Sequence, residues 1–114
     1  MKILCFVQCD DNLMNAVSKE SIALSQEIKN KSNGHLDILT FNENVANELT
    51  QYDSDAIFLA KNENLNDYNP LYYTSAAEHV LNNGEYDLLI IAHTYQARDW
   101  VPRLSARCDI PFIS

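Results

Sequence analysis

The sequence predicts an α/β domain with a doubly wound, parallel sheet of five strands in the order 3-2-1-4-5, with helices on both faces. One observation is the apolar run at residues 88–92, which lacks alternation and is typical of a strand buried on both faces. Another is the stripe at helical spacing directly after it, formed by Ala97, Val101, Leu104 and Cys108. Strand and helix alternate in this way along the chain, and right-handed crossovers between parallel strands then give a Rossmann-like arrangement.

The other elements are predicted from the same two patterns. Earlier strands are expected at the apolar runs, residues 3–7, 36–41 and 55–60. A fifth strand is expected after Pro111, which ends the preceding helix. Ser18 is the expected N-cap of the first helix, and Pro70 suits the first turn of the third.

Two turns meet where the predicted strand order reverses, and ligands bind at this point in open parallel sheets. They are residues 8–12, after strand 1, and residues 93–98, after strand 4. Thr94 and Arg98 are the candidates for contact with a cofactor there. Both glycines of the chain fall at helix ends on the opposite edge of the sheet, and no glycine-rich phosphate loop is present. We therefore expect no nucleotide to be bound by this chain alone.

A proline constrains where the last helix begins. Pro102 has no backbone N–H to donate and is tolerated best within the first helical turn. We therefore expect the helix to begin near Arg98 or Asp99. Arg98 would then lie at the end that faces the crevice between strands 1 and 4. Asp99 and Arg103 would form a favourable i, i+4 ion pair.

The composition excludes several classes of protein. The 114 residues carry a net charge of −8, whereas nucleic acids and anionic membranes are bound by basic surfaces. No apolar run approaches the ~20 residues that span a membrane, and we expect a cytoplasmic protein. The three cysteines lack CxxC spacing and the three histidines share no ligand spacing, so neither a disulfide framework nor a metal site is predicted. No pattern indicates catalytic residues.

Positive charge is concentrated near the carboxyl terminus. Residues 1–97 contain five lysines and 14 acidic residues, a net charge of −9, whereas residues 98–114 contain three arginines and two aspartates, a net charge of +1. Arginine favours planar, bidentate recognition of carboxylates, and both arginine and tryptophan are frequent at interfaces. We interpret Trp100, Arg103 and Arg107 as candidates for contact with a partner. A solvated helix face in an acidic protein is the alternative.

Residues 94–107 resemble the signature of a known family, the N-terminal domain of the electron transfer flavoprotein alpha subunit. That signature is a Thr after the fourth strand, then Gly-Lys/Arg-Asn/Asp, two mostly apolar residues, Pro-Arg, an aliphatic residue and small residues. It is matched by Thr94, Arg98, Asp99, Pro102, Arg103, Leu104 and Ala106. Ala97 stands where the family usually has Gly. The opening strand and residues 65–68 are also similar, so the resemblance spans the chain.

The resemblance implies a role in electron transfer. Residues 1–114 would be the N-terminal domain, and FAD would be bound by a C-terminal domain absent from this chain. In the family the alpha subunit pairs with a beta subunit, accepts electrons from dehydrogenases through its flavin and passes them on. The N-terminal domain is mainly a scaffold that packs on the beta subunit. We therefore expect one domain of a longer carrier protein, not an enzyme.

Two alternatives share the same broad fold. A stand-alone adenine-nucleotide-binding module, resembling universal stress proteins, would bind nucleotide by itself and would need glycines that this chain lacks. A small flavodoxin-like enzyme would hold flavin mononucleotide at a phosphate loop after strand 1. Asp10 and Asp11 lie in that turn, and their charges would repel a phosphate.

Overall fold

The sheet has the predicted strand order. A computed structural model describes all 114 residues. The elements in chain order are β1 (Lys2–Phe6), β2 (Cys9–Asp10), β3 (Leu13–Met14), α1 (Ser18–Ser32), β4 (His35–Thr40), α2 (Glu43–Leu49), β5 (Ala56–Leu59), a short 3-10 helix (Glu63–Leu65), α3 (Pro70–Gly84), β6 (Leu88–Ile91), α4 (Tyr95–Cys108) and β7 (Phe112–Ile113). Five of the strands form one parallel sheet in the order β5-β4-β1-β6-β7. Without the small hairpin β2–β3 this is the order 3-2-1-4-5, so the predicted fold is confirmed.

Helices cover both faces of the sheet, which explains why its central strands lack alternation. On β1, Leu4 and Phe6 face the layer of α3 and α4, in a cluster of 15 buried residues. Ile3 and Cys5 face the layer of α1 and α2, in a cluster of 10. Both sets of β1 side chains are therefore buried, as expected for a parallel sheet between two helical layers.

Trp100 lies in the core, and this corrects its interpretation as a surface residue in contact with a partner. Its side chain is only 1% exposed. The indole ring centroid lies 5.1 Å from that of Phe6 and 5.5 Å from that of Tyr73, with both pairs nearly perpendicular. Such edge-to-face pairs are favourable beyond the area they bury. The buried stripe of α4 is thus wider than the sequence spacing indicated.

Helix α4 begins at Tyr95, so the prediction that it begins near Arg98 or Asp99 is wrong. Pro102 lies inside the helix, past its first turn. Proline there removes the hydrogen bond to the carbonyl four residues earlier, and its ring crowds that carbonyl. Pro102 is on the exposed side, where water can reach the unpaired carbonyl of Arg98. Tertiary packing of the opposite side and a cap at Thr94 outweigh this local penalty.

The turn after β1 is a hairpin rather than an irregular loop. Strands β2 and β3 pair antiparallel around Asp11 and Asn12, whose φ values of 50° and 66° are left-handed. Two such residues in succession are typical of the tightest hairpin turns, which favour Asn and Asp. The hairpin leads into α1, where Ser18 is not the cap that the sequence predicted. The side-chain oxygen of Asn15 instead accepts from the N–H of Ser18 at 3.3 Å.

The amino edge of the sheet contains a buried carboxylate. Asp37 on β4 is 3% exposed and accepts hydrogen bonds from the Tyr86 hydroxyl at 2.5 Å and from His35 Nε2 at 2.7 Å. Burial, this hydrogen bond and the negative charge of Asp37 raise the pKa of Tyr86 above its ordinary value of 10.0. The folded protein therefore holds the Tyr86 proton more tightly than the unfolded chain does.

We expect Trp100→Ala to lower the free energy of unfolding by about 3–5 kcal/mol, because it leaves a large cavity beside Phe6 and Tyr73. Arg103→Ala on the exposed side of the same helix should change it by less than about 0.5 kcal/mol. Urea denaturation followed by circular dichroism measures both, since Trp100 is the only tryptophan and its fluorescence is lost in the variant. Equal stability of the two variants would contradict the buried position of Trp100.

Alkaline pH should destabilise the fold through Tyr86. The stabilising contribution of its bound proton is complete below pH 10, the unfolded value, and is lost as the pH rises above it. Tyr86→Phe should be less stable than the natural protein at neutral pH, because Asp37 loses a donor, but should lose less stability above pH 10. Tyr72→Phe, at an exposed position on α3, is the control. Parallel stability curves for all three proteins would refute this assignment.

Candidate functional site

The two predicted turns do meet at the carboxyl edge of the sheet, where they are joined by a hydrogen bond. Strands β1 and β6 are direct neighbours, so the residues that follow them lie side by side. The hydroxyl of Thr94 donates to the side-chain oxygen of Gln8 at 2.7 Å. The amide nitrogen of Gln8 donates in turn to Asp10 at 2.8 Å. Gln8 is only 5% exposed, so its side chain is buried where the two turns meet.

Thr94 is also the N-cap of α4. Its oxygen accepts from the N–H of Ala97 at 3.0 Å, which satisfies one of the free amides of the first turn. The hydroxyl thus both donates and accepts within the protein. A cofactor would have to compete with these two bonds, and contact between Thr94 and a cofactor stays a prediction.

The residues of this crevice do not fit the pyrophosphate of a flavin or nucleotide. Phosphates bind where free N–H groups of a helix start and small residues allow close approach. Here the N–H of Ala97 already serves Thr94, and Asp10 and Asp11 add negative charge at the adjoining hairpin. The two glycines, Gly34 and Gly84, precede β4 and β6, so they lie at the edge of the sheet where the strands begin, opposite the two turns. The crevice is therefore a structural junction of the fold.

The solvent-facing side of α4 carries the other predicted residues. Its seven exposed positions recur at intervals of three and four residues: Tyr95, Arg98, Asp99, Pro102, Arg103, Ala106 and Arg107. We call the first six the arginine face, because the guanidinium of Arg107 is paired with Glu78 of α3. Tyr95 is 88% exposed, and the guanidinium of Arg98 lies 6.0 Å from its ring centroid. Sequence reasoning missed Tyr95, although its position at the start of a capped helix could have indicated it.

Two predicted side chains of α4 are held by other elements. Asp99 accepts a hydrogen bond of 2.5 Å from the hydroxyl of Tyr68, and no ion pair forms between Asp99 and Arg103, contrary to the prediction. Burial and this hydrogen bond raise the pKa of Tyr68 above 10.0. Arg107 forms an ion pair of 2.8 Å with Glu78 of α3. Both contacts join α4 to the elements packed beside it.

Unpaired positive charge is concentrated on the arginine face. Four of the eight cationic side chains form ion pairs, namely Lys29, Lys31, Lys61 and Arg107. A fifth, Lys2, donates to the carbonyl of Gly84 at 2.6 Å. The remaining three cationic side chains form neither an ion pair nor a hydrogen bond; they are Lys19, Arg98 and Arg103. Two of these three lie on one side of α4, in a protein whose net charge is −8.

A groove runs beside the arginine face, between α4 and β7. We call it the α4–β7 groove; its volume is about 270 Å³. Its apolar lining comprises Ile91, Ala97, Val101, Pro102 and Phe112, and its exposed polar lining comprises His93, Arg98 and Ser114. Arg98 therefore belongs both to the groove and to the arginine face. The sequence pattern did not predict this groove, because it depends on how β7 lies against α4.

Together, the fold and the closed crevice define a Rossmann-like α/β domain that lacks a phosphate-binding loop. Residues 3–114 match the family model described as "Electron transfer flavoprotein domain". The chain is 28% identical over 116 aligned positions to the electron transfer flavoprotein subunit alpha of Bacillus subtilis (strain 168). The chain therefore belongs to the electron transfer flavoprotein family, and the resemblance found at residues 94–107 is confirmed.

The match covers 99% of this chain but only 35% of the Bacillus subtilis protein. The chain thus spans about a third of the length of the curated relative that it matches. None of its helices is long and apolar enough to cross a membrane.

Thr94→Ala should lower the free energy of unfolding by about 1–3 kcal/mol, because it removes the α4 cap and leaves the buried Gln8 oxygen without its donor. Thr94→Ser keeps the hydroxyl and is the matched control. A double-mutant cycle with Gln8→Ala isolates the bond between the two turns, with an expected coupling of at least about 0.5 kcal/mol. Strictly additive effects would show that the bond does not join them.

Proposed function

We propose that this chain is the N-terminal scaffold and subunit-contact domain of an electron transfer flavoprotein alpha subunit. The observation that carries the proposal is the closed crevice, in a chain that matches the flavoprotein family over nearly its whole length. The side chains of Gln8 and Thr94 occupy the position at which ligands bind in related folds. FAD would then be held by a C-terminal domain outside these 114 residues.

In this proposal the domain has no catalytic residues of its own. The complete protein would receive electrons from dehydrogenases through FAD and pass them to an acceptor. The scaffold would keep the flavin domain and the beta subunit within reach of each other. Its rigid parts suit this role, since both helical layers pack on the sheet through continuous buried clusters.

The arginine face is the proposed contact with the beta subunit. Arginine and tyrosine are enriched at protein interfaces, and the face contains Tyr95, Arg98 and Arg103. Arg107 is not part of this face, because its guanidinium forms an ion pair with Glu78. It would contribute indirectly, by holding α3 against α4. Trp100 would support the contact from beneath, as a core residue that fixes the rotation of the helix.

We also place the complete protein in the cytoplasm. All three cysteines are unpaired thiols, Cys5, Cys9 and Cys108, and burial is the main cause that raises the pKa of each. Free thiols without disulfides are usual in a reducing compartment.

Native mass spectrometry of the protein isolated from its own source tests this proposal. We expect a species much heavier than 13.0 kDa that contains a second, beta-type chain and releases FAD when the same sample is denatured. A flavin-free species of 13.0 kDa, or its simple dimer, would contradict the electron-transfer role. Adenine-nucleotide binding by the isolated chain would then be the function to measure.

A further inference from the structure

We infer that a small organic cation, an amine carried on an apolar body, binds in a cavity beside the β2–β3 hairpin. We call it the hairpin cavity; its volume is about 310 Å³. Its apolar wall is formed by Phe6, Phe41, Leu65 and Tyr73, and its rim carries the carboxylates of Asp11 and Asp67. None of these residues belongs to the arginine face, so the site is separate from the proposed subunit contact.

The hairpin cavity lies at the carboxyl edge of the sheet, beside β1 and β4. Phe6 ends β1 and Phe41 directly follows β4, whereas the closed crevice lies between β1 and β6. Pockets for small molecules typically have volumes of roughly 300–1,000 Å³. The hairpin cavity, at about 310 Å³, falls within that range, and it shares Phe41 and Asn12 with an adjoining cavity of about 520 Å³. A ligand with a body the size of one aromatic ring therefore has room.

Tyr73 gives the hairpin cavity a polar group that no residue of the chain satisfies. The hydroxyls of Tyr68 and Tyr86 each donate to a carboxylate, of Asp99 and Asp37. Tyr73 is 6% exposed and lines the cavity, and its hydroxyl forms no hydrogen bond within the chain. Buried tyrosine hydroxyls usually have a partner. This hydroxyl is therefore free to bind a ligand.

The hydroxyl of Tyr73 lies near the acidic side of the cavity. Burial is the main cause that raises the pKa of Tyr73, and the neighbouring Cys9, Asp10 and Asp67 raise it further. The hydroxyl thus keeps its proton at neutral pH, and its oxygen can accept a hydrogen bond from a ligand N–H. An amine bound at this oxygen would also lie close to the carboxylates.

The charges of the cavity select a cation over a neutral or an anionic ligand. Asp11 and Asp67 form neither an ion pair nor a side-chain hydrogen bond, and the lining contains no lysine, arginine or histidine. The cation nearest along the lining of the adjoining cavity, Lys61, is paired with Glu43 at 3.0 Å. An ammonium group would be attracted by both free carboxylates, whereas a phosphate or carboxylate would be repelled.

Three probes that share one apolar body test the choice of charge. Phenethylamine is a cation at neutral pH, phenethyl alcohol is neutral and phenylacetate is an anion. Each is titrated into the complete protein, with any partner chains that it carries, and binding is followed by ligand-detected NMR. We expect phenethylamine to bind at least about tenfold more tightly than phenethyl alcohol, because charge-assisted hydrogen bonds are stronger than neutral ones. Phenylacetate should not bind measurably.

Two variants with matched controls test the residues. Tyr73→Phe removes only the free hydroxyl and should raise the dissociation constant of phenethylamine by about three- to tenfold. Its control is Tyr72→Phe, at the exposed neighbouring position on α3. Asp67→Asn should weaken binding by about threefold or more at low ionic strength and by less at high ionic strength. Its control is Asp53→Asn, an exposed carboxylate just before β5, at the opposite edge of the sheet. Both controls should stay within about twofold of the natural protein.

Thermal unfolding followed by circular dichroism distinguishes a binding role of Tyr73 from a structural one. Tyr73→Phe should unfold at the same temperature as the natural protein, because the hydroxyl has no partner in the chain; a lower midpoint would show that it has a structural role. Equal affinity for phenethylamine and phenethyl alcohol, or unchanged affinity in Tyr73→Phe, would overturn the inference. So would the absence of any binding of the amine. FAD and a second chain are detected by mass independently, so these results leave the proposed function untouched.

Discussion

The packing of Trp100 against Phe6 is the contact on which the rest of this structure depends. Phe6 is the last residue of the central strand β1, and its ring also lies 4.9 Å from Phe41 at the end of β4. Trp100 packs α4 against this cluster, and Tyr73 packs α3 against it on the same face of the sheet. Since Trp100 faces inward, helical geometry turns the residues two positions away, Arg98 and Pro102, outward. The arginine face is thus a direct consequence of the buried indole.

Helix α4 combines contacts that stabilise the fold with the face that we propose for contact with a partner. Near its start it is held by Tyr68 through Asp99, and near its end by Glu78 through Arg107. These contacts fix both ends of the helix against neighbouring elements, which limits the motion of the residues between them. Arg98 and Arg103 are left without partners on a helix that is otherwise firmly attached. A rigid arrangement of this kind loses little side-chain and backbone entropy when a partner binds.

The fold was predictable because buried strands and amphipathic helices leave distinct periods in the sequence, as residues 88–108 show. Trp100 was misplaced because a stripe of four residues underestimates the width of a buried helix face. The start of α4 was predicted wrongly because the preference of Pro102 for the first helical turn is weaker than the packing of the helix on the sheet. At the candidate site, the sequence located both turns but not the hydrogen bond that joins Thr94 to Gln8, 86 positions away. The partners of Asp99 and Arg107 are likewise distant in sequence and depend on tertiary packing.

The bond between Gln8 and Thr94 also has a thermodynamic consequence for how such a protein is assembled. A ligand stabilises a fold only when it binds the folded state, and the gain then depends on the concentration of free ligand. Gln8 and Thr94 satisfy each other at this position, so the junction between the two turns needs no ligand to be stable. Under the proposed function, this domain would reach its final structure before flavin is inserted into the C-terminal domain. The supply of the redox group would then govern only the later steps of assembly.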